Sequence, residues 1–239
     1  MVNTRQNALY IKNAKGKYGL ILRFLYVRLF LRKIILNKHG HLKNDFKHKT
    51  KENFFSEFWF DDNIPYWHYY FEQKMNEKNL KALEIGSFEG RSSYYILSTF
   101  ENLQLTCVDT WGGSGEQETK NWTDVENNFD ANMKSFYGRV LKFKCNSSEW
   151  FGKNRDKVNY YDLIYIDGSH YYKDVKYDAE NCWKLLKPGG TMIFDDYLWC
   201  HYKTVEENPI FGINQFLSKI KLQFKILHVE SQLFLEKKY

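Results

Sequence analysis

Cysteine is scarce and scattered in this chain. Cys107, Cys145, Cys182 and Cys200 form no CxxC pair, so the sequence offers neither a zinc-ribbon spacing nor a disulfide framework. They read as reduced thiols of an intracellular, cytoplasmic protein. Internal repeats and low-complexity tracts are also missing. So is any uncharged apolar run of membrane-spanning length. The stretch 18–36 (YGLILRFLYVRLFLRKIIL), which begins at Tyr18 and closes on Leu36, comes nearest. Arg23, Arg28, Arg32 and Lys33 interrupt it, each costing roughly 2.5–3.5 kcal/mol near a bilayer centre, which excludes a spanning helix. The arginines and the lack of a small-residue cleavage site also exclude a secretory signal. What remains is a basic, very apolar helix. It is expected either to dock peripherally on an anionic membrane surface or to pack on its own domain or on a second subunit of a homo-oligomer. Helical projection scatters the four cations around the axis, which favours packing with the stems snorkelling outward.

What is present is globular. The 239 residues suit one domain, 43% are hydrophobic and 27% charged, and aromatics reach 18%. The net charge of +6 is concentrated before residue 52. That asymmetry points to an anionic partner or to solubility alone. Near residue 78 the character changes. Residues 1–77 read as a basic, aromatic-rich helical N-terminal extension, and residues 78–239 as an α/β domain. Candidate strands are Leu80–Ile85, Leu103–Asp109, 140–145, 161–167 and 191–195, and candidate helices are Arg91–Thr99, 125–136 and 171–186, with Lys187-Pro188-Gly189-Gly190 stopping the last. Strands joined by helical crossovers imply a parallel sheet with helices on both faces. A helix near 213–220 and two further runs, 224–229 and 232–236, read as a closing antiparallel hairpin.

The loop after the first strand, Glu84-Ile85-Gly86-Ser87-Phe88-Glu89-Gly90, places glycines where a ligand lies close to the backbone. Glu84 stands where a dinucleotide fingerprint has its first glycine, and a carboxylate there repels a pyrophosphate. It suits a phosphate-free ligand carrying an ammonium and a sulfonium, which describes S-adenosylmethionine. Asp109, 25 residues after Glu84, ends the next strand at the interval where such folds place an acid on ribose hydroxyls.

The segments LEIGSFEGRSS, VDTWGGSGE, YIDGSHYYKDVKYDAENCWKLLKPGG and IFDDY resemble the class I S-adenosylmethionine-dependent methyltransferases, in particular the macrocin and mycinamicin sugar O-methyltransferase branch. The resemblance covers roughly residues 80–200, and DGSH and DDY are its most specific parts. It implies a Rossmann-like methyltransferase fold with a mostly parallel seven-stranded sheet and a C-terminal antiparallel hairpin. Glu84, Gly86, Ser87, Gly90, Asp109, Thr110, Trp111, Ser147 and Asp167 are the expected cofactor contacts. Some of these stay open: Asn146-Ser147-Ser148 can meet the adenosine or cap a helix, and Trp111-Gly112-Gly113 can cover the adenine or form a plain loop. The aromatic run 54–71 can line an acceptor pocket, but core is the favoured reading.

Asp167, Asp195 and Asp196 stand at the carboxyl ends of two successive strands, where three carboxylates repel one another unless a hard divalent cation joins them. Oxygen-only ligands favour magnesium or manganese. The resemblance implies the same magnesium triad, with Asp195 where the family commonly has Glu. His170, three residues after Asp167, is the implied general base. The expected chemistry is methyl transfer to one hydroxyl of a vicinal diol on a sugar or glycan. Rival readings are a catechol-type O-methyltransferase on a small molecule, a hydroxylase-like relative, a nucleic-acid methyltransferase and a non-catalytic binding protein. No nucleic-acid recognition motif accompanies the charge, so no nucleic-acid partner is expected. The intact acid cluster argues against a non-catalytic copy.

Overall fold

A computed structural model of the chain describes residues 4–77, 79–113 and 121–239. Residue 78, at the expected boundary, and residues 114–116, which close the VDTWGGSGE segment, lie outside the described residues. In chain order the helices are α1 (Thr4–Asn13), α2 (Tyr18–Tyr26), α3 (Arg32–His39), α4 (Leu42–Lys49), α5 (Ile64–Phe71), α6 (Arg91–Thr99), α7 (Trp122–Met133), α8 (Ser147–Lys153), α9 (Tyr172–Leu185) and α10 (Pro209–Ile220). The strands are β1 (Leu80–Ile85), β2 (Leu103–Asp109), β3 (Val140–Lys144), β4 (Tyr161–Ile166), β5 (Leu186–Phe194), β6 (Phe224–Val229) and β7 (Leu233–Lys237). Their order in the sheet is β3-β2-β1-β4-β5-β7-β6, with helices on both faces. The sheet is mostly parallel, and β7 runs antiparallel to both β5 and β6. This is the Rossmann-like methyltransferase architecture that the motifs imply.

The chain divides into two compact units, residues 33–150 and residues 1–32 with 151–239. Residues 1–32 fall in the second of these units and residues 33–77 in the first.

In the 33–150 unit, β1 lies parallel to β2, from Leu80 opposite Leu103 to Ile85 opposite Val108, and β2 lies parallel to β3. The interior positions of β1 and β2 are buried almost without alternation, as strands covered on both faces require. The aromatic run splits in two. Phe60, Tyr66, Trp67 and Phe71 are core, while Phe54, Phe58 and Trp59 stay exposed.

In the other unit, β4 and β5 are parallel and β5 hands on to the β7–β6 hairpin. Leu20, Phe24, Val27 and Leu31 bury one face of the segment 18–31, which runs through α2 into a π-helical turn, Val27–Leu31. The arginines do not snorkel at random: Arg23 donates to the Leu227 carbonyl of edge strand β6, and Arg28 and Arg32 bind Glu230 just beyond it. Covering an edge strand in this way satisfies acceptors that otherwise invite aggregation. No helix among the described residues is long and apolar enough to cross a membrane.

Candidate active site

The glycine loop of the 33–150 unit is held by three carboxylates, all turned onto the protein itself. Glu84 closes β1 with no solvent exposure and accepts hydrogen bonds from Ser87 Oγ at 2.7 Å, from Ser92 Oγ at 2.6 Å and from Ser93 Oγ. Burial pushes its pKa up, and these hydroxyls pull it back down. Glu84 therefore forms the floor of the loop. Glu89, also buried, takes the Ser56 amide at 2.5 Å and Asn128 Nδ2 at 3.0 Å.

Asp109 ends β2 half-buried. Its Oδ2 accepts the Ser87 and Phe88 amides at 2.7 and 2.9 Å, and its Oδ1 accepts the Trp111 amide at 2.7 Å. Each of its oxygens keeps acceptor capacity for a hydroxyl. Gly86 and Gly90 have φ of 85° and 80°. A Cβ on Gly90 would come within 2.9 Å of the Phe129 ring, so glycine is required there both by φ and by the packing of α7.

Two expected contacts are held by partners within the protein. Trp111 is buried: its Nε1 donates to the Phe88 carbonyl at 2.8 Å, and its ring lies 4.8 Å from that of Phe129 with Lys142 Nζ 4.6 Å away. The indole is thus part of the loop's support. Asn146 Oδ1 accepts from the Glu149 amide and from Ser148 Oγ, so this turn caps α8 and leaves Ser147 half-buried at the first position of the helix. Thr110 is exposed next to Asp109, and its Oγ1 takes the Gly112 amide at 3.2 Å.

The acid cluster lies in the other unit. The β4–β5 register pairs Ile166 with Phe194, so Asp167 and Asp195 leave adjacent strand ends together. Ligand atoms of Asp167, Asp195 and Asp196 all lie within 4.8 Å of one another. Asp196 has a φ of 53°, a left-handed turn that Asp tolerates, and the buried Tyr197 behind it anchors the turn through Asn214 at 3.0 Å. Burial and the neighbouring Asp196 push Asp195 up to about 6. A half-buried triad whose own charges repel fits a divalent cation held through oxygen, magnesium or manganese.

His170 Nε2 lies 2.8 Å from Asp196 Oδ2, and its ring stacks on Trp199 at 4.6 Å and 18°. The contacts fix the imidazole's plane and give it a carboxylate partner. Two further residues of this site are not among those expected from the sequence. The Tyr165 hydroxyl sits 3.0 Å from Asp167 Oδ2 and 2.9 Å from Asp195 Oδ2, and Gln232 Nε2 donates to Asp195 Oδ1 at 2.9 Å. The i, i+2 spacing of Tyr165 on β4 and Asp167 just past its end is a signal that finds the tyrosine. Gln232 arrives only through the hairpin.

Residues 83–197 match the family described as a methyltransferase domain. Among curated proteins, an uncharacterized protein of Acanthamoeba polyphaga mimivirus is 27% identical over 119 residues, which is 50% of this chain and 52% of that protein. Among solved structures, the methyltransferase MycE of the mycinamycin biosynthetic pathway, in complex with Mg, SAH and mycinamycin VI, matches with a TM-score of 0.56 at 15% identity over 82% of this chain and 54% of its own. An O-methyltransferase from Bacillus cereus in complex with SAH matches with a TM-score of 0.53 at 15% identity, over 72% of this chain and 79% of its own. The chain thus spans about half the length of the first two of these relatives.

Proposed function

We propose, for a chain whose residues 83–197 match a methyltransferase domain, that the whole protein transfers a methyl group from S-adenosylmethionine to a hydroxyl oxygen of a sugar or glycan bearing a vicinal diol. The observation that carries this reading is the Asp167–Asp195–Asp196 cluster with His170 hydrogen-bonded to its edge at 2.8 Å. Methylating an amine calls for no such cluster, whereas aiming and deprotonating one of two adjacent hydroxyls does. The Mg and mycinamycin VI held by MycE support a metal and a small-molecule acceptor.

In this reading Asp109 accepts the ribose hydroxyls of the cofactor, and Gly86 lets its methionyl portion approach the backbone. Thr110 and Ser147 lie at the ends of β2 and the start of α8 as further cofactor contacts. Glu84, Glu89 and Trp111 keep the loop in place without touching the ligand. Asp167, Asp195 and Asp196 would hold magnesium or manganese, which supplies the positive charge that lowers the pKa of a chelated hydroxyl. Tyr165 and Gln232 hold Asp195 and Asp167 in position. His170 takes the proton from the attacking hydroxyl, and Asp196 with Trp199 keeps its ring in one orientation.

The test is transfer of labelled methyl from S-adenosylmethionine to a panel of sugars, catechols, amines and RNA, with magnesium and with excess chelator. Label on the sugars that disappears with chelator supports the reading. Full transfer to amines or RNA, or transfer indifferent to chelator, overturns it.

A further inference from the structure

We propose that the segment 18–31 docks the protein on the surface of an anionic lipid bilayer, through a face made by Tyr18, Leu22, Tyr26, Leu29 and Phe30. The segment carries two apolar faces. Leu20, Phe24, Val27 and Leu31, spaced four, three and four apart, face the protein and are buried. Tyr18, Leu22, Tyr26 and Leu29 or Phe30, spaced four, four and three or four apart, repeat the same helical period on the opposite side. They are exposed: Leu22 keeps 50% of its surface, Leu29 62% and Phe30 63%. Single exposed apolar residues are ordinary, but a contiguous stripe along three helical turns marks a surface that meets something.

The cations explain why this stripe is not simply an amphipathic accident. Arg23 leaves toward Leu227 at one side, and Arg28 and Arg32 leave toward Glu230, so each arginine is drawn onto β6 or the turn after it. Between Tyr18 and Lys33 these three arginines are the only charged residues, and the Arg23 guanidinium also lies 5.1 Å from the Tyr26 ring centroid. The scatter of charge seen in projection is therefore a set of inward tethers, and the outward face is apolar and aromatic. Tyr26 and Phe30 lie with ring centroids 6.1 Å apart on it. Tyrosine with an apolar body and a polar tip suits the headgroup boundary.

Charge complementarity selects the occupant. The sequence has no Asp or Glu before Asp45, while Arg5, Lys12, Lys15 and Lys17 precede the stripe, all of them exposed. A second copy of this chain on the same face would bring two acid-free, cationic segments together. An anionic lipid surface supplies the negative charge the segment lacks and accepts the aliphatic and aromatic anchors below the headgroups.

The experiment is flotation of the full chain with vesicles of phosphatidylcholine alone and of phosphatidylcholine mixed with phosphatidylserine, at low and high salt. The protein is expected to float with the mixed vesicles at low salt and to be released by high salt. Leu22→Ser with Phe30→Ser is expected to weaken vesicle affinity about tenfold or more, with unchanged thermal unfolding because both side chains are already exposed. Lys12→Glu with Lys15→Glu is expected to weaken it and to reduce its salt dependence. Absence of flotation with either vesicle, or equal flotation of the parent and the Leu22→Ser, Phe30→Ser variant, overturns the proposal. So does a dimer seen by sedimentation that the same variant dissolves, since the occupant would then be a second copy.

Discussion

Arg91 and Asp61 form a two-point ion pair almost without solvent, Nε to Oδ1 at 2.6 Å and Nη2 to Oδ2 at 2.8 Å, with side-chain exposures of 6% and 2%. The guanidinium also lies 4.5 Å from the Phe58 ring centroid and 4.9 Å from those of Phe46 and Phe55. Arg91 is the first residue of α6, directly after Gly90, so the pair fastens the glycine loop to the segment around 61. Asp61→Ala leaves a buried guanidinium without its counter-charge and is expected to cost about 3–5 kcal/mol in denaturant unfolding. A loss below about 1 kcal/mol would show that the pair is solvated or replaceable.

Asp109→Ala is expected to weaken S-adenosylmethionine binding by at least about tenfold in calorimetry, because charge-assisted hydrogen bonds of roughly 1.5–3 kcal/mol each are lost. The same substitution releases the Ser87, Phe88 and Trp111 amides, so loop order falls with affinity. An affinity equal to that of the parent would remove Asp109 from the cofactor site.

Much of the sheet was legible because burial on both faces leaves a plain mark. Leu80–Ile85 and Leu103–Asp109 are predicted and observed with the same ends, and both are short apolar runs closed by an acid or a glycine turn. The start of β5 was not legible. Leu186 pairs with Tyr161 ahead of an irregularity in register, so the strand begins before the Pro-Gly-Gly that reads as a stop. In α10 the Asn208-Pro209 pair is a helix-start signal that moves the beginning to Pro209, ahead of the expected 213. The places of Glu84, Asp109 and Asp167 at the strand ends were legible from spacing, but not the directions of their side chains. Glu84 is turned inward because Ser87, Ser92 and Ser93, separated in sequence, converge on it when α6 forms. Spacing gives a residue's place on a strand end, whereas its hydrogen-bond partners depend on which neighbours the fold delivers.

Manganese binding followed by electron paramagnetic resonance tests the acid cluster apart from turnover. Asp195→Asn is expected to lower manganese affinity about tenfold or more while leaving the unfolding midpoint unchanged or higher, since it removes one of three mutually repelling carboxylates. Parent-like manganese affinity in this variant would remove Asp195 from the metal site. A lowered midpoint would show that Tyr165 and Gln232 need the charge for folding.

His228 gives the fold a defined response to acid. It is 1% exposed on β6, and burial is the main cause that holds its pKa down to about 3, with Glu230 pulling it up and Arg23 and Arg32 pushing it down. The folded value lies below the ordinary 6.5, so the unfolded chain takes a proton that the folded chain refuses. Stability from the neutral imidazole is therefore complete above pH 6.5 and is lost progressively as the pH falls toward 3. At pH 5 the loss from this group is about 2 kcal/mol. Denaturant unfolding of the parent and of His228→Leu between pH 7 and pH 5 isolates the effect, because every other titrating group contributes to both curves. The parent is expected to lose about 2 kcal/mol more than the variant over that range. Parallel curves would mean that the folded state accommodates the imidazolium, with Glu230 pairing it in place of Arg28 and Arg32.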